Sequence, residues 1–236
     1  MTSVETDTVE KTGQFVEGLI QSVIGRPSTR DEQKMPGPSD ISDPCDLCLA
    51  RKIAGVCGIP MQGGRNGSFS LKAWVGTAVH EKIEQDLPKI YTRAQQEVEV
   101  DIAQIPGLGM VKGHVDLYLP DKQHLTDWKT ADMEGVYGIK KYKREGPSKR
   151  HIGQTSLYAY GLNRAEMPVK GITLVYIPRD SNRRTDIWRY TFPYEEAIAE
   201  ALLKRLGLLT SVLQSGQTAE LTSDPDCFVC NYSFRT

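Results

Sequence analysis

An excess of charge of one sign is missing from this sequence. Its 29 lysines and arginines face 30 aspartates and glutamates across 236 residues, a net charge of −1. No chain-wide basic field attracts a polyanion, so contact with nucleic acid must come from local patches. Long apolar runs are missing too: none approaches the roughly 20 residues of a membrane-spanning helix. The opening residues, Met1 to Asp7, carry neither the basic nor the apolar region of a secretory signal. A cytoplasmic protein with no membrane partner is therefore expected. Cysteine is sparse, 5 in all, and in that compartment cysteines do not build a disulfide framework. The rest is ordinary for a globular protein, 39% hydrophobic and 25% charged. It points to one α/β domain with an appendage.

Residues 113–129 carry the densest chemistry. They read as a β-hairpin in which Val115, Leu117 and Leu119 alternate with His114, Asp116 and Tyr118. Pro120, Asp121 and Lys122 supply the turn, and a second arm runs through Leu125 to Lys129. Period two places Asp127 and Lys129 on one face, and pairing of the arms brings Asp116 beside them. Carboxylates are hard oxygen ligands for Mg²⁺ or Mn²⁺ that leave positions open for water and phosphate. Such an ion polarises a phosphoryl oxygen and activates water. A neighbouring ammonium orients the water and offsets developing negative charge. Phosphodiester hydrolysis suits the grouping, although a strand with a charged solvent face has the same spacing.

Ten residues separate Asp116 from Asp127-Trp-Lys129, a pattern that resembles the PD-(D/E)xK nuclease motif. Upstream, Gly76-Thr-Ala-Val-His80 resembles the histidine motif of RecB-type nucleases; downstream, Gln154-Thr-Ser-Leu-Tyr158 resembles their Q-x-x-x-Y motif. The three stand in the family's order. With cysteines at both ends, residues 45–232 resemble the CRISPR-associated RecB-like exonucleases and their phage-encoded relatives. The resemblance implies an α/β fold of the restriction-endonuclease-like class, a mixed central sheet flanked by helices. It implies that His80, Asp116, Asp127 and the main-chain carbonyl of Trp128 hold a catalytic Mg²⁺ or Mn²⁺. Lys129 would then orient water and stabilise the transition state, while Gln154 and Tyr158 hold the strand. The implied substrate is DNA, preferably single-stranded ends, cut by an exonuclease that works with recombination or CRISPR-adaptation proteins. A structure-specific endonuclease on the same core and a non-catalytic DNA-binding adaptor are the alternatives.

Along the chain, residues 1–10 are polar and expected to fray. From Lys11 to Ile24, apolar residues recur at helical spacing, and a helix packed on the body is expected. Gly25-Arg26-Pro27 ends it, and 26–44 reads as a linker. A short helix is expected over 49–53, then a turn at Gly63-Gly64-Arg65-Asn66-Gly67. Ser70 caps a helix over 71–86, with Trp74, Val75, Ala78, Val79 and Ile83 as its buried stripe. Residues 92–102 alternate as a strand with a solvated acidic face of Glu97, Glu99 and Asp101, and 92–129 forms a three-stranded meander. Residues 130–150 read as a mobile loop. There, Lys140, Lys141, Lys143, Arg144, Lys149 and Arg150 stand against Glu145. This run suits phosphate-backbone contact or a solvated surface, and Tyr137 and Tyr142 suit base stacking or packing. A helix over 148–162 puts Gln154 and Tyr158 on one face. A buried strand over 171–177, a strand over 186–192 and a helix over 194–214 complete the core. Arg179, Arg183 and Arg184 form a second candidate DNA contact.

Cys45 and Cys48, and Cys227 and Cys230, form two CxxC pairs, with Cys57 left over. Two pairs on one centre would clamp the N-terminal third to the tail. The loop so closed is long, but closure costs only about 0.6 kcal/mol per doubling, and a metal centre contributes on the order of 10 kcal/mol. Relatives with a [4Fe-4S] cluster place one cysteine before the histidine motif and three after the core. The two-plus-two arrangement here departs from that and also suits tetrahedral Zn²⁺; on resemblance a [4Fe-4S] cluster on Cys45, Cys48, Cys227 and Cys230 is expected, with structural Zn²⁺ as the alternative. The expected organisation is an N-terminal helix and linker (1–44), a cysteine subdomain (45–70 with 215–236) and a nuclease core (71–214).

Overall fold

The structure, a computed structural model, describes residues 3–25, 35–61, 70–216, 221, 223–227 and 229–230, with side chains from residue 11 onward. The turn at 63–67, the helix end at Arg26 and Pro27 and the linker up to residue 34 lie outside the described residues. The elements in order are α1 (Ser3–Ile24), α2 (Pro38–Ile41), α3 (Asp46–Cys57), α4 (Leu71–Asp86), β1 (Gln95–Ile105), β2 (Gly109–Leu119) and β3 (His124–Ala131). There follow α5 (Ile139–Glu145), α6 (Lys149–Arg164), β4 (Gly171–Pro178), β5 (Trp188–Pro193) and α7 (Glu196–Gln214).

The five strands form one sheet in sequence order. β1, β2 and β3 pair antiparallel as the expected meander, β3 and β4 pair parallel, and β4 and β5 pair antiparallel. A parallel neighbour requires a crossover, and α5 and α6 supply it. The sheet is therefore mixed and flanked by helices, as expected. Helix α6 starts where Ser148 Oγ accepts from the His151 N–H at 3.2 Å, and it packs across β1 to β4. Val100, Ile102 and Val115 from the sheet, Leu157 and Leu162 from α6, Leu206 and Leu213 from α7 and Leu49 and Ile53 from α3 share one core.

Several local expectations change. Helix α1 already begins at Ser3, and its apolar stripe does not pack on the body: Phe15, Val16, Leu19, Ile20 and Val23 are all exposed. Helical periodicity shows that a stripe exists, not what covers it. The cap at Ser70 holds, with Oγ accepting from the Ala73 N–H at 3.3 Å. The α4 stripe, however, is at best half-buried: Val75, Val79 and Ile83 are intermediate, while Trp74 and Ala78 are exposed. Residues 130–150 are no mobile loop, since α5 occupies 139–145 and buries Ile139 and Tyr142. Tyr142 is a packing residue, 4.9 Å from the Tyr176 ring and 5.8 Å from His151; Tyr137 stays exposed.

Much of the basic run is already paired. Lys140 pairs with Glu134, Lys141 and Arg144 reach Glu145, and Arg150 pairs with Asp43 at 3.2 Å. Arg179 is likewise a structural tie, to Asp132 and to the Lys72 carbonyl. The first and last strands start later than the sequence pattern suggests. β1 begins at Gln95, and a 3-10 turn at Arg184–Asp186 precedes β5.

Candidate active site and cysteine centre

The β2–β3 pairing runs through Leu119↔His124, Tyr118↔Leu125 and Leu117↔Thr126, then stops. Asp116 and Asp127 are the next pair in that count, so the two strands part where the carboxylates stand. Asp116 Oδ2 accepts from the Trp128 N–H at 2.9 Å, which fixes one carboxylate against the neighbouring strand. Lys129 Nζ donates to Asp127 Oδ1 at 3.0 Å and to Gln154 Oε1 at 3.0 Å. Gln154 Nε2 donates in turn to the Tyr158 hydroxyl at 2.9 Å. The structure thus brings Asp127, Lys129, Gln154 and Tyr158 into one hydrogen-bonded chain. The spacing of four puts Gln154 and Tyr158 on one face of α6, and the crossover lays that face against the end of β3.

His80 reaches the site from α4. Its Nδ1 lies 3.5 Å from Asp116 Oδ1, and its ring meets Trp128 edge-on at 6.3 Å. Burial opposes the imidazolium, yet the Asp116 and Asp127 carboxylates prevail and raise the His80 pKa. Asp127 is buried, and burial raises its carboxyl to about 6, with Lys129 opposing and Asp116 adding to the rise. Its Oδ2 lies 2.8 Å from the Lys129 ammonium but has no hydrogen bond, and neither does the buried Nδ1 of His80. Buried polar atoms without such bonds are costly. Here they belong to one imidazole and a carboxylate, a donor set that fits a divalent cation.

Reading the sequence missed Glu97. A ligand atom each from His80, Glu97 and Asp116 lie within 4.8 Å of one another. Glu97 alternates with Val98 in β1 and so reads as one more solvated acid. Only the strand register carries the signal that separates it from Glu99 and Asp101.

Gly113, three residues before Asp116, has a packing role. A Cβ there would stand 2.6 Å from Tyr158 Cε1 and 3.0 Å from Pro38 Cγ. Replacing it by alanine must displace the Tyr158 ring and disturb its bond to Gln154. We expect Gly113→Ala to cost about 1–3 kcal/mol of stability and to slow cleavage. Urea unfolding and a cleavage assay on one preparation check this, and a variant equal to wild type in both would show that Tyr158 moves freely.

The cysteines converge at a second place. Cys45 caps the start of α3, and its Sγ lies 3.6 Å from that of Cys230; Cys48 Sγ lies 3.4 Å from Cys227 and 3.5 Å from Cys230. Arg51 Nη1 donates to Cys230 Sγ at 3.4 Å. Cys57 stands apart, donating to the Gly107 carbonyl. Burial works against a Cys45 thiolate, but the N–H groups of Asp224 and Cys48 and the neighbouring thiols lower its pKa. Burial pushes Cys230 up to about 11 and raises Cys48 further. Four sulfurs this close cannot all ionise without a cation. Four thiolates about 2.3 Å from one tetrahedral ion stand about 3.8 Å apart, close to the spacing seen. A four-iron cluster puts each thiolate on its own iron and spreads the sulfurs wider.

No family model matches the sequence, and no curated protein matches it. Solved structures do. The alkaline exonuclease LHK-Exo from Laribacter hongkongensis, in complex with dAMP, aligns with a TM-score of 0.56 at 12% identity over 78% of this chain and 89% of its own. The chain has the fold of these nucleases. A phage-related exonuclease from Haemophilus somnus 129PT aligns with a TM-score of 0.53 at 8% identity, over 78% of this chain and 96% of its own. The expected restriction-endonuclease-like core is thus the observed one, and in this nuclease fold the carboxylates of β2 and β3 sit at the parting of the strands. Among the described residues no helix is long and apolar enough to cross a membrane.

Proposed function

We propose that the protein is a divalent-metal-dependent DNA exonuclease of the RecB type that hydrolyses phosphodiester bonds at single-stranded ends in the cytoplasm. Its setting would be recombination, repair or the processing of CRISPR or phage DNA. The carrying observation is the chain Asp127–Lys129–Gln154–Tyr158 beside the His80–Asp116 contact. Exonucleases with this fold, one of them holding dAMP, support the same reading. Asp116, Asp127, His80 and the Trp128 carbonyl hold Mg²⁺ or Mn²⁺. When bound, that ion polarises the scissile phosphate and lowers the pKa of water. Lys129, held by Asp127 and Gln154, places its ammonium where negative charge develops and orients the attacking water. Gln154 and Tyr158 position Lys129 and face the strand. Cys45, Cys48, Cys227 and Cys230 hold a structural ion, and the sulfur spacing favours Zn²⁺ over a [4Fe-4S] cluster. That ion clamps α3, which packs into the common core, to Cys227 and Cys230.

End-labelled linear single-stranded DNA with Mg²⁺ or Mn²⁺, beside a covalently closed single-stranded circle, tests the reading. Shortening of the linear strand with the circle intact is expected. Cleavage of the circle would point to an endonuclease, and binding without any cleavage to an adaptor.

A further inference from the structure

His151 is a polar group beside the site to which the chemistry above gives no task. It lies three residues before Gln154 and seven before Tyr158 on α6, and these spacings put all three side chains on one face of the helix. That face crosses the sheet, and each of the three meets a different strand. A Cβ at Gly113 of β2 would strike Tyr158. Gln154 accepts from Lys129 of β3. His151 Nδ1 lies 2.9 Å from the Tyr176 hydroxyl of β4. Lys129 and Tyr176 are register partners on neighbouring parallel strands, so the His151–Tyr176 pair stands next to the lysine of the site.

The pair fixes where the imidazole carries its hydrogen. Tyr176 is fully buried, and among the described residues its hydroxyl has no hydrogen-bond partner but His151. A buried hydroxyl must donate its hydrogen, so Nδ1 accepts it and carries none of its own. Burial, then the charges of Lys129 and Arg150, lower the His151 pKa to about 3. The ring is therefore neutral, with its one hydrogen on Nε2. Nε2 has no hydrogen bond among the described residues, and it is not one of the buried atoms left without a partner, so it opens to solvent. The Tyr142 ring packs edge-on against the imidazole at 5.8 Å and helps hold it in place. His151 is also the third residue after the Ser148 cap, where the helix dipole favours a negative ligand over an imidazolium. A single N–H donor, held beside an ammonium at the positive end of a helix, suits an anionic oxygen.

Building on the nuclease reading above, we propose that His151 binds the DNA strand by donating from Nε2 to an oxygen of a phosphate adjoining the scissile one. Lys129 serves the scissile phosphate, and His151, about one helical turn from Gln154, serves its neighbour. Tyr176 is a positioning residue that acts through the His151 tautomer.

The test compares ordinary single-stranded oligonucleotides with strands in which one phosphate flanking the scissile one is a neutral methylphosphonate. His151→Phe keeps a ring against Tyr142 and removes the donor. On the ordinary strand its KM is expected to rise about tenfold with kcat little changed. On the strand neutralised at the contacted phosphate, wild type and variant should differ by about twofold or less. An undiminished tenfold effect on every neutralised strand overturns the contact and leaves His151 a packing residue. Wild type that cleaves no strand overturns the nuclease reading and the contact with it, which separates the two failures. Nitrogen-15 resonance of the histidine rings gives a readout that needs no activity. At pH 7 the signal absent from His151→Phe is expected to be the neutral Nε2–H tautomer in wild type and a mixture of tautomers in Tyr176→Phe. A Nδ1–H tautomer or an imidazolium in wild type overturns the proposal.

Discussion

Asp127→Asn is expected to lower DNA hydrolysis by about 10³-fold or more, the loss when roughly 4 kcal/mol of metal stabilisation goes, and at the same time to raise the melting temperature of the metal-free protein. The two effects share a cause. Asp127 is buried, and burial lifts its pKa to about 6 with Lys129 opposing and Asp116 adding, whereas an unfolded aspartate titrates near 3.9. Between these values the folded state holds a proton that the unfolded state has lost, so stability falls as pH rises through the window. Below about pH 4 both states are protonated and the penalty is absent. Above about pH 7 it is fully present, on the order of 3 kcal/mol, or roughly 6 °C for a chain of this size. Asparagine keeps the shape without the charge. In EDTA the variant should melt above wild type at pH 8, with the difference vanishing toward pH 4; with Mn²⁺ the order should reverse. A variant that melts lower than wild type at pH 8 in EDTA would mean that the Lys129 pair outweighs burial.

Cys45→Ser is expected to unfold much of the protein. The thiol is fully buried and closes its centre with residues from the far end of the chain, Cys227 and Cys230. A structural metal contributes about 10 kcal/mol or more, comparable with the entire stability of a typical domain. Helix α3, which carries Cys48, shares the core with Leu157, Leu206 and Leu213, so loosening it loosens the packing behind α6 and α7. We expect a fall in melting temperature of more than about 10 °C, the scale of several kcal/mol, together with loss of the bound ion. Cys57→Ser, at a thiol outside the cluster, should match wild type and serves as the control. Metal analysis after anaerobic purification completes the test: one zinc per colourless chain is expected. A brown protein with four irons would replace zinc with a cluster while leaving the clamp in place.

The motifs along the sequence determined a great deal by themselves. Period two in a strand is enough to put Asp127 beside Lys129, and a spacing of four in a helix is enough to put Gln154 beside Tyr158, because both follow from backbone geometry alone. Alternation marked β1, β2 and β3, and two CxxC pairs marked the second centre. Tertiary structure decided what those local rules cannot reach. Tyr142 and Tyr137 look alike in sequence, yet only the approach of β4 buries Tyr142 against Tyr176. The α1 and α4 stripes have proper helical spacing, yet no packed partner covers them fully, since periodicity specifies a face and not its neighbour. Glu97, Glu99 and Asp101 are three acids in one alternating run. Glu97 alone is turned into the site, because the register with β2 and a left-handed backbone put it across from Asp116, and both depend on a strand that comes later in the chain.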